Sequence, residues 1–174
     1  MTKIIGLCGT AGSGKSTAAK LLCDKRNFVT VKMAGPLKDM LRAIGLGDDH
    51  LEGDLKTASI PMLCGKTPRH AMQTLGTEWG RECMGQDFWV NVWRENAWHA
   101  LEYGDCGGVV CDDIRFANEA DAVRAMGGKV VRLVRDGAGA DGAHKSEAIE
   151  FEPDLYIYNN GTPYDLWLAL RAAL

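Results

Sequence analysis

Eight residues near the amino terminus, Gly9-Thr10-Ala11-Gly12-Ser13-Gly14-Lys15-Ser16, spell G-x-x-x-x-G-K-S. That pattern suits a triphosphate, whose charge only many donors can offset. Glycines at 9, 12 and 14 let the backbone wrap closely and aim successive N–H groups inward. A helix beginning there adds its positive end. Lys15 can then reach the β- and γ-phosphates and Ser16 can ligate Mg²⁺. The pattern needs a strand before it and a helix after it. Residues 3 to 8 read as a short buried strand, and 14 to about 25 as a helix with Ala18, Ala19, Leu21 and Leu22 at helical spacing. Nucleotide binding follows from these residues.

A second signal is the run "VVCDDIRF", an apolar strand ending in acids, where a phosphate-loop protein holds Mg²⁺ or a water on it. Asp112 and Asp113 project to opposite sides of a strand, so one of the two is expected at the metal. Arg115 follows Asp113 by two residues and shares its side on an extended chain. Arg132 and Arg135 flank "RDGAGADGAHKSE", a Gly/Asp-rich loop of the kind that moves, where an arginine could close over a transferring phosphate. In a helix from Pro68, hundred-degree steps place Met72, Leu75, Trp79 and Cys83 on one stripe, which reads as core. Arg69, Gln73, Gly76 and Gly80 fall on the next. A helical glycine costs about 1 kcal/mol against alanine. Two of them beside Arg69 and Gln73 suggest close approach of a ligand or another backbone; a helix broken at Gly76 is the other reading. Arg81 lies on another face of a continuous helix.

Strands and helices must alternate to hold these groups. A strand is expected over 28 to 33, a helix from Pro36 to about Ile44, and loop with one helical turn over 45 to 66. Thr67-Pro68 starts a helix, and Asp87 opens another that runs to about Tyr103. A strand over 107 to 112 precedes a helix capped by Asn118 and stopped by Gly127-Gly128. Strands over 129 to 134 and 155 to 158 follow. Thr162-Pro163 starts a last helix in which Asp165 completes a capping box. Alternation of this kind means a parallel sheet with helices on both faces. The expectation is one α/β domain, a three-layer α/β/α P-loop fold with a mobile lid.

The bulk numbers narrow the classes. The chain has 174 residues, 46% hydrophobic and 25% charged, as soluble globular domains do, which favours one domain. A net charge of −3 without any Lys/Arg block weighs against a nucleic-acid binder. No apolar run is long enough to span a bilayer, and the chain enters a strand at once without a signal-peptide pattern. Six cysteines show no C-x-x-C pair and no zinc-type spacing, so reduced cytosolic thiols are expected. His144 and the group Asp48-Asp49-His50 read as solvated polar loop rather than metal site, and Trp89, Val92 and Trp93 as one core-facing helix stripe. No N-K-x-D element of a GTPase is found.

Together these residues carry a family resemblance. The run "GKTPRHAMQTLGTEWGRECMGQDFWVNVW", preceded by "AGPLKDML" and followed by "CDDIRFANEADAVRAMGGKVVRLVR", with "HKSE" and "DLYIYNNGT" in order, resembles the deoxynucleoside monophosphate kinases of tailed bacteriophages and prophages. The resemblance implies Mg·ATP-dependent phosphorylation of a deoxynucleoside monophosphate, a small-molecule partner and no nucleic acid or membrane. It also implies a homodimer and the cytoplasm, that of the bacterial host if the protein is phage-encoded. It puts ATP phosphates on Gly9, Ala11, Gly12, Ser13, Gly14, Lys15, Ser16 and Thr17, with Asn160 and Gly161 near the adenine. Asp113 and Arg115 become an Asp-x-Arg pair near metal and phosphate, with Lys15 and Arg135 as the other catalytic residues. Mg²⁺ would rest on Ser16 and, through water, on Asp113, with Asp112 as the alternative. The acceptor would meet Lys38, Arg69, Gln73 and Arg81, and Arg135, His144, Ser146 and Glu147 would border a lid over about 135–147. One departure stands out: many phage enzymes read Ala-Asp-Pro-Leu-Lys where this chain has Ala34-Gly35-Pro36-Leu37-Lys38. That form also resembles animal phosphomevalonate kinases, so a phosphomevalonate acceptor, a P-loop ATPase or switch, and a non-catalytic nucleotide-binding module stay open.

Overall fold

The computed structural model describes residues 3–139 and 150–174. Five strands, β1 (Ile4–Cys8), β2 (Phe28–Thr30), β3 (Gly108–Cys111), β4 (Lys129–Val134) and β5 (Leu155–Tyr158), form one sheet in the order β2-β3-β1-β4-β5. Every adjacent pair is parallel, with Gly6 opposite Cys111 on one side and Val130 on the other. Every residue of β1 and β3 is buried, as central strands covered on both faces require.

On one face Ile5, Leu7, Val110, Val131, Leu133 and Ile157 pack with Ala18, Ala19 and Leu22 of α1 (Lys15–Arg26) and with Leu166 and Leu170 of α7 (Pro163–Ala173). The other face carries α6 (Ala117–Ala125), whose Val123 meets Ile114 above Gly6. A Cβ at Gly6 would stand 3.2 Å from both side chains, so the absent side chain is what lets that layer close down. These are the three layers of the expected α/β fold.

The chain divides into two compact units, Met1–Met33 with Arg94–Leu174, and Ala34–Trp93. The second has its own core of Leu37, Leu41, Leu46, Leu51 and Trp89. It is built from α2 (Gly35–Ala43), α3 (Asp48–Leu51), two single 3₁₀ turns, α4 (Pro68–Gln73), a π-helix (Thr74–Met84) and the start of α5 (Phe88–Tyr103). The stretch expected as loop with one helical turn thus holds three short turns of helix around Leu51. Thr67 caps α4 as expected, accepting the His70 N–H at 3.1 Å.

The π-helix overturns the hundred-degree stripe beyond Gln73. Its wider turn leaves Trp79 and Cys83 exposed instead of in the core. The cause is Trp89, which is 4% exposed and donates its indole N–H to the Gly76 carbonyl at 2.8 Å. Its ring covers Gly80, where a Cβ would stand 2.6 Å from Cε2 and 2.9 Å from Cζ2. Gly80 therefore answers to an indole, while Gly76 lends it only a backbone carbonyl.

Smaller differences have local causes. Strand β2 stops at Thr30, where its ladder with Val110 ends, and β3 at Cys111, its last residue paired with β1. Helix α6 is capped at Phe116 rather than Asn118, because Glu119 reaches back to the Arg115 and Phe116 N–H groups at 2.8 and 3.2 Å. At α7 the expected box is present: Thr162 and Asp165 bond each other's backbone N–H, and the Thr162 hydroxyl holds the Asp165 carboxyl below its ordinary value.

Gly80→Ala should destabilise the protein by about 1–3 kcal/mol, the usual scale for overpacking, because the buried indole has nowhere to go. Gly76→Ala meets only Leu37 at 3.6 Å, so it should be neutral or stabilising by up to about 1 kcal/mol. Urea unfolding of the two variants checks the contrast; equal losses would mean that Trp89 does not hold the π-helix.

Candidate active site

The phosphate loop leaves β1 at Cys8 and enters α1 at Lys15. Gly9, Gly12 and Gly14 have φ of 142°, 79° and 99°, values a side chain would strain. Space enforces two of them as well. A Cβ at Gly9 would stand 2.5 Å from the Leu133 carbonyl oxygen and 2.7 Å from Ser13 Oγ, and one at Gly14 would collide with the Asn159 amide.

Lys15 turns back over the loop and donates to the Gly9 and Thr10 carbonyls at 2.7 and 2.8 Å. Its ammonium is thereby stationed at the mouth of the loop. Ser16 and Thr17 are exposed on the first turn of α1, open to a ligand at that helix end. Ala11 and Gly12 form one wall of a cleft of about 380 Å³ whose other wall is Arg135, Asp136, Gly137, Ala138 and Gly139. Gly139 lies so near Thr10 that a Cβ there would stand 3.1 Å from it. This is the near end of the expected lid; His144, Ser146 and Glu147 lie outside the described residues.

The two acids after β3 separate as the strand's alternation dictates. Val110 belongs to the α1 side of the sheet, and Asp112, two residues on, follows it. Its ion-pair partner Lys32, 3.6 Å away, continues the series Phe28, Thr30 on that side, and Thr30 Oγ1 stands 3.5 Å from Cys23 Sγ of α1. Asp112 is 7% exposed, and its Oδ1 has no hydrogen-bond partner among the described residues. Asp113 takes the opposite side with Cys111: its Oδ1 accepts the Met33 N–H at 2.9 Å and the Cys111 thiol at 3.2 Å. Burial, with the Asp113 charge beside it, raises the Cys111 thiol well above its ordinary value, and burial pushes Cys8 up to about 11. Both thiols stay protonated near neutrality and are not nucleophiles. Arg115 and Arg135 are exposed.

Two roles were not read from the sequence. Asn159 is buried and donates its amide to the Ser13 carbonyl at 2.9 Å. Alternation from the buried Ile157 would have pointed it inward. Asn160, which the resemblance puts near the adenine with Gly161, bonds Asp136 twice, accepting its N–H at 2.9 Å and donating to Oδ2 at 2.7 Å.

In the second unit, Lys38 is bonded to Glu52 at 2.7 Å. Arg69 and Gln73 are exposed on α4, and Arg81 is half-buried in the π-helix. Asp48 pairs with Arg42 at 2.8 Å, as a surface group does. No cluster of three metal-ligating side chains occurs among the described residues, and no described helix is long and apolar enough to cross a membrane.

The chain is similar to known proteins in sequence and in fold. Residues 65–168 match the family model described as deoxynucleotide monophosphate kinase. A protein of Acanthamoeba polyphaga mimivirus, named as a candidate deoxynucleotide monophosphate kinase, is 32% identical over 175 residues, covering 91% of this chain and 89% of its own. The deoxynucleotide monophosphate kinase of Escherichia phage RB69 is 33% identical over 114 residues, 61% of this chain but only 44% of the phage protein's length. Among solved structures, TT1252 from Thermus thermophilus (16% identity, TM-score 0.51, 99% of this chain and 96% of that one) shares the fold. So does dephospho-CoA kinase from Campylobacter jejuni (13%, TM-score 0.50, 99% and 96%). The matched span takes in α4, the π-helix and the strand-end acids, so more than a phosphate loop is shared, and the chain belongs to the deoxynucleotide monophosphate kinase family.

Proposed function

We propose that the protein transfers the γ-phosphoryl group of ATP to the phosphate of a deoxynucleoside 5′-monophosphate, giving the diphosphate and ADP. The observation that carries the reading is the phosphate loop with Lys15 held at its mouth, in a chain whose family is that of deoxynucleotide kinases. Transfer is in line, from one phosphate to another, without a covalent enzyme intermediate. The acceptor oxygen is already ionised near neutral pH, so no general base is needed. What the chain must supply is position and charge.

Each residue then has a task. Loop N–H groups and the α1 end hold the β- and γ-phosphates. Lys15 leaves the Gly9 and Thr10 carbonyls for the phosphates and follows the migrating group. Arg115 and Arg135 offset charge on the transferring phosphoryl. Arg69, with Gln73 and Arg81, holds the acceptor, because a guanidinium fork suits a phosphate. Mg²⁺ fits the donor set: Ser16 offers an exposed hydroxyl, and Asp112 a buried carboxylate oxygen that accepts no hydrogen bond among the described residues and has only the Lys32 ammonium 3.6 Å away, suited to a hydrated cation. When bound, the ion would neutralise charge on the β- and γ-phosphates. Asp113, already engaged by Met33 and Cys111, fixes the chain where β2 leads on to α2. Six free cysteines suit the reducing cytoplasm, where ATP and deoxynucleotides are held.

Three experiments test this. Purified protein with Mg·ATP and a panel of dTMP, dGMP, dCMP, dAMP and modified pyrimidine monophosphates should release ADP only with one or a few of them. Lys15→Ala should lower that turnover by about 10³ or more; acceptor-independent hydrolysis would reject the kinase reading. Arg69→Ala should raise the KM for the monophosphate about tenfold or more while changing that for ATP little; the reverse pattern would remove Arg69 from the acceptor. Asp112→Asn should raise the Mg²⁺ concentration needed for half-maximal rate more than Asp113→Asn does. The opposite order would return the metal to Asp113.

A further inference from the structure

The two residues that follow β5 reach both walls of the cleft. The Asn159 side chain is buried and its Nδ2 donates to the carbonyl of Ser13, in the phosphate loop, at 2.9 Å. It occupies the space that a Cβ on Gly14 would need. Asn160, the next residue, points the other way along the chain's alternation and takes both polar groups of Asp136: the backbone N–H at 2.9 Å and the carboxylate at 2.7 Å. Asp136 follows Arg135 and lies in the opposite wall, residues 135–139.

We infer that Asn159 and Asn160 are positioning residues that set the separation and orientation of the two walls holding the triphosphate. The inference rests on the nucleotide-binding part of the proposed function. A phosphate loop works by turning its N–H groups inward, so its carbonyls must turn outward and find donors there. The Ser13 carbonyl is buried on that outward side, and a buried acceptor left unmet is costly. Asn159 supplies a neutral donor, which a carboxylate of the same shape could not. Asn160 clamps the first turn after β4 to the same strand end, so that Arg135 leaves the sheet in a fixed direction. One strand terminus therefore aligns the loop that receives the phosphates and the turn that carries an arginine towards them.

The test uses the whole chain, titrated calorimetrically with Mg·ATP without acceptor and assayed separately for turnover with deoxynucleoside monophosphates. Asn159→Asp keeps the shape and replaces the donor by a carboxylate facing a carbonyl. ATP affinity should fall about tenfold or more near pH 8. Burial raises the pKa of the introduced carboxyl, so the loss should shrink towards about pH 5.5 as a protonated carboxyl donates again. Asn160→Ala should lower kcat several-fold and leave the ATP dissociation constant within about threefold; being exposed, it can be read even if the first variant fails to fold. Wild-type affinity in Asn159→Asp, a loss equal at both pH values, or equal falls in kcat and affinity for Asn160→Ala would overturn the inference. Wild-type protein that binds ATP but phosphorylates no monophosphate would reject the kinase reading alone.

Discussion

A loop that gathers N–H groups on its inner side must send its carbonyls outward, and much of the first unit is arranged to receive them. At the mouth, Lys15 takes two of the loop's carbonyls, Gly9 and Thr10, with one ammonium. Asn159 takes a third, Ser13, from the last strand of the sheet. Its approach requires that residue 14 have no side chain, and the left-handed φ there requires the same. The glycine thus serves two constraints at once, one of conformation and one of space. A loop secured only by its own backbone would have to order itself around each incoming nucleotide and would lose affinity to that ordering.

The sheet makes such bracing possible. Because β1 is central, with β3 on one side and β4 on the other, the loop leaves between two strands whose ends carry polar groups. Period-two alternation then sorts those groups. Asp112 stands with α1 and an unbonded oxygen, while Asp113 turns to Met33 and Cys111. Adjacent carboxylates would repel each other if both served one cation; on opposite sides of the chain each has its own partner.

Legibility from sequence followed the range of the forces involved. Strands β4 and β5 and the Thr162 cap were read residue for residue, because a continuous apolar run and a capping box are local signals. The loop was readable for a similar reason: its glycines and lysine are contiguous. The π-helix was not, since its cause is an indole thirteen residues away from Gly76. Nor was the pairing of Asn159 with Ser13, which are 146 positions apart. Alternation alone could have turned Asn159 inward, but nothing in the chain names the carbonyl it meets. Asn160 is similar: the resemblance alone gave it a place, and its two bonds to Asp136, 24 positions away, have no local signal.

Charge accounting in the second unit bears on how an acceptor can be held. Lys38, whose side chain is 14% exposed, is paired with Glu52 at 2.7 Å. An ammonium already neutralised at that distance has little left for a phosphate unless Glu52 gives it up. Gly35, three residues before this lysine, offers no side chain, and Glu52, from the turn after α3, brings the carboxylate to Lys38. In that balance the exposed guanidinium of Arg69, planar and always charged, is the better-suited group for the dianionic end of a nucleotide.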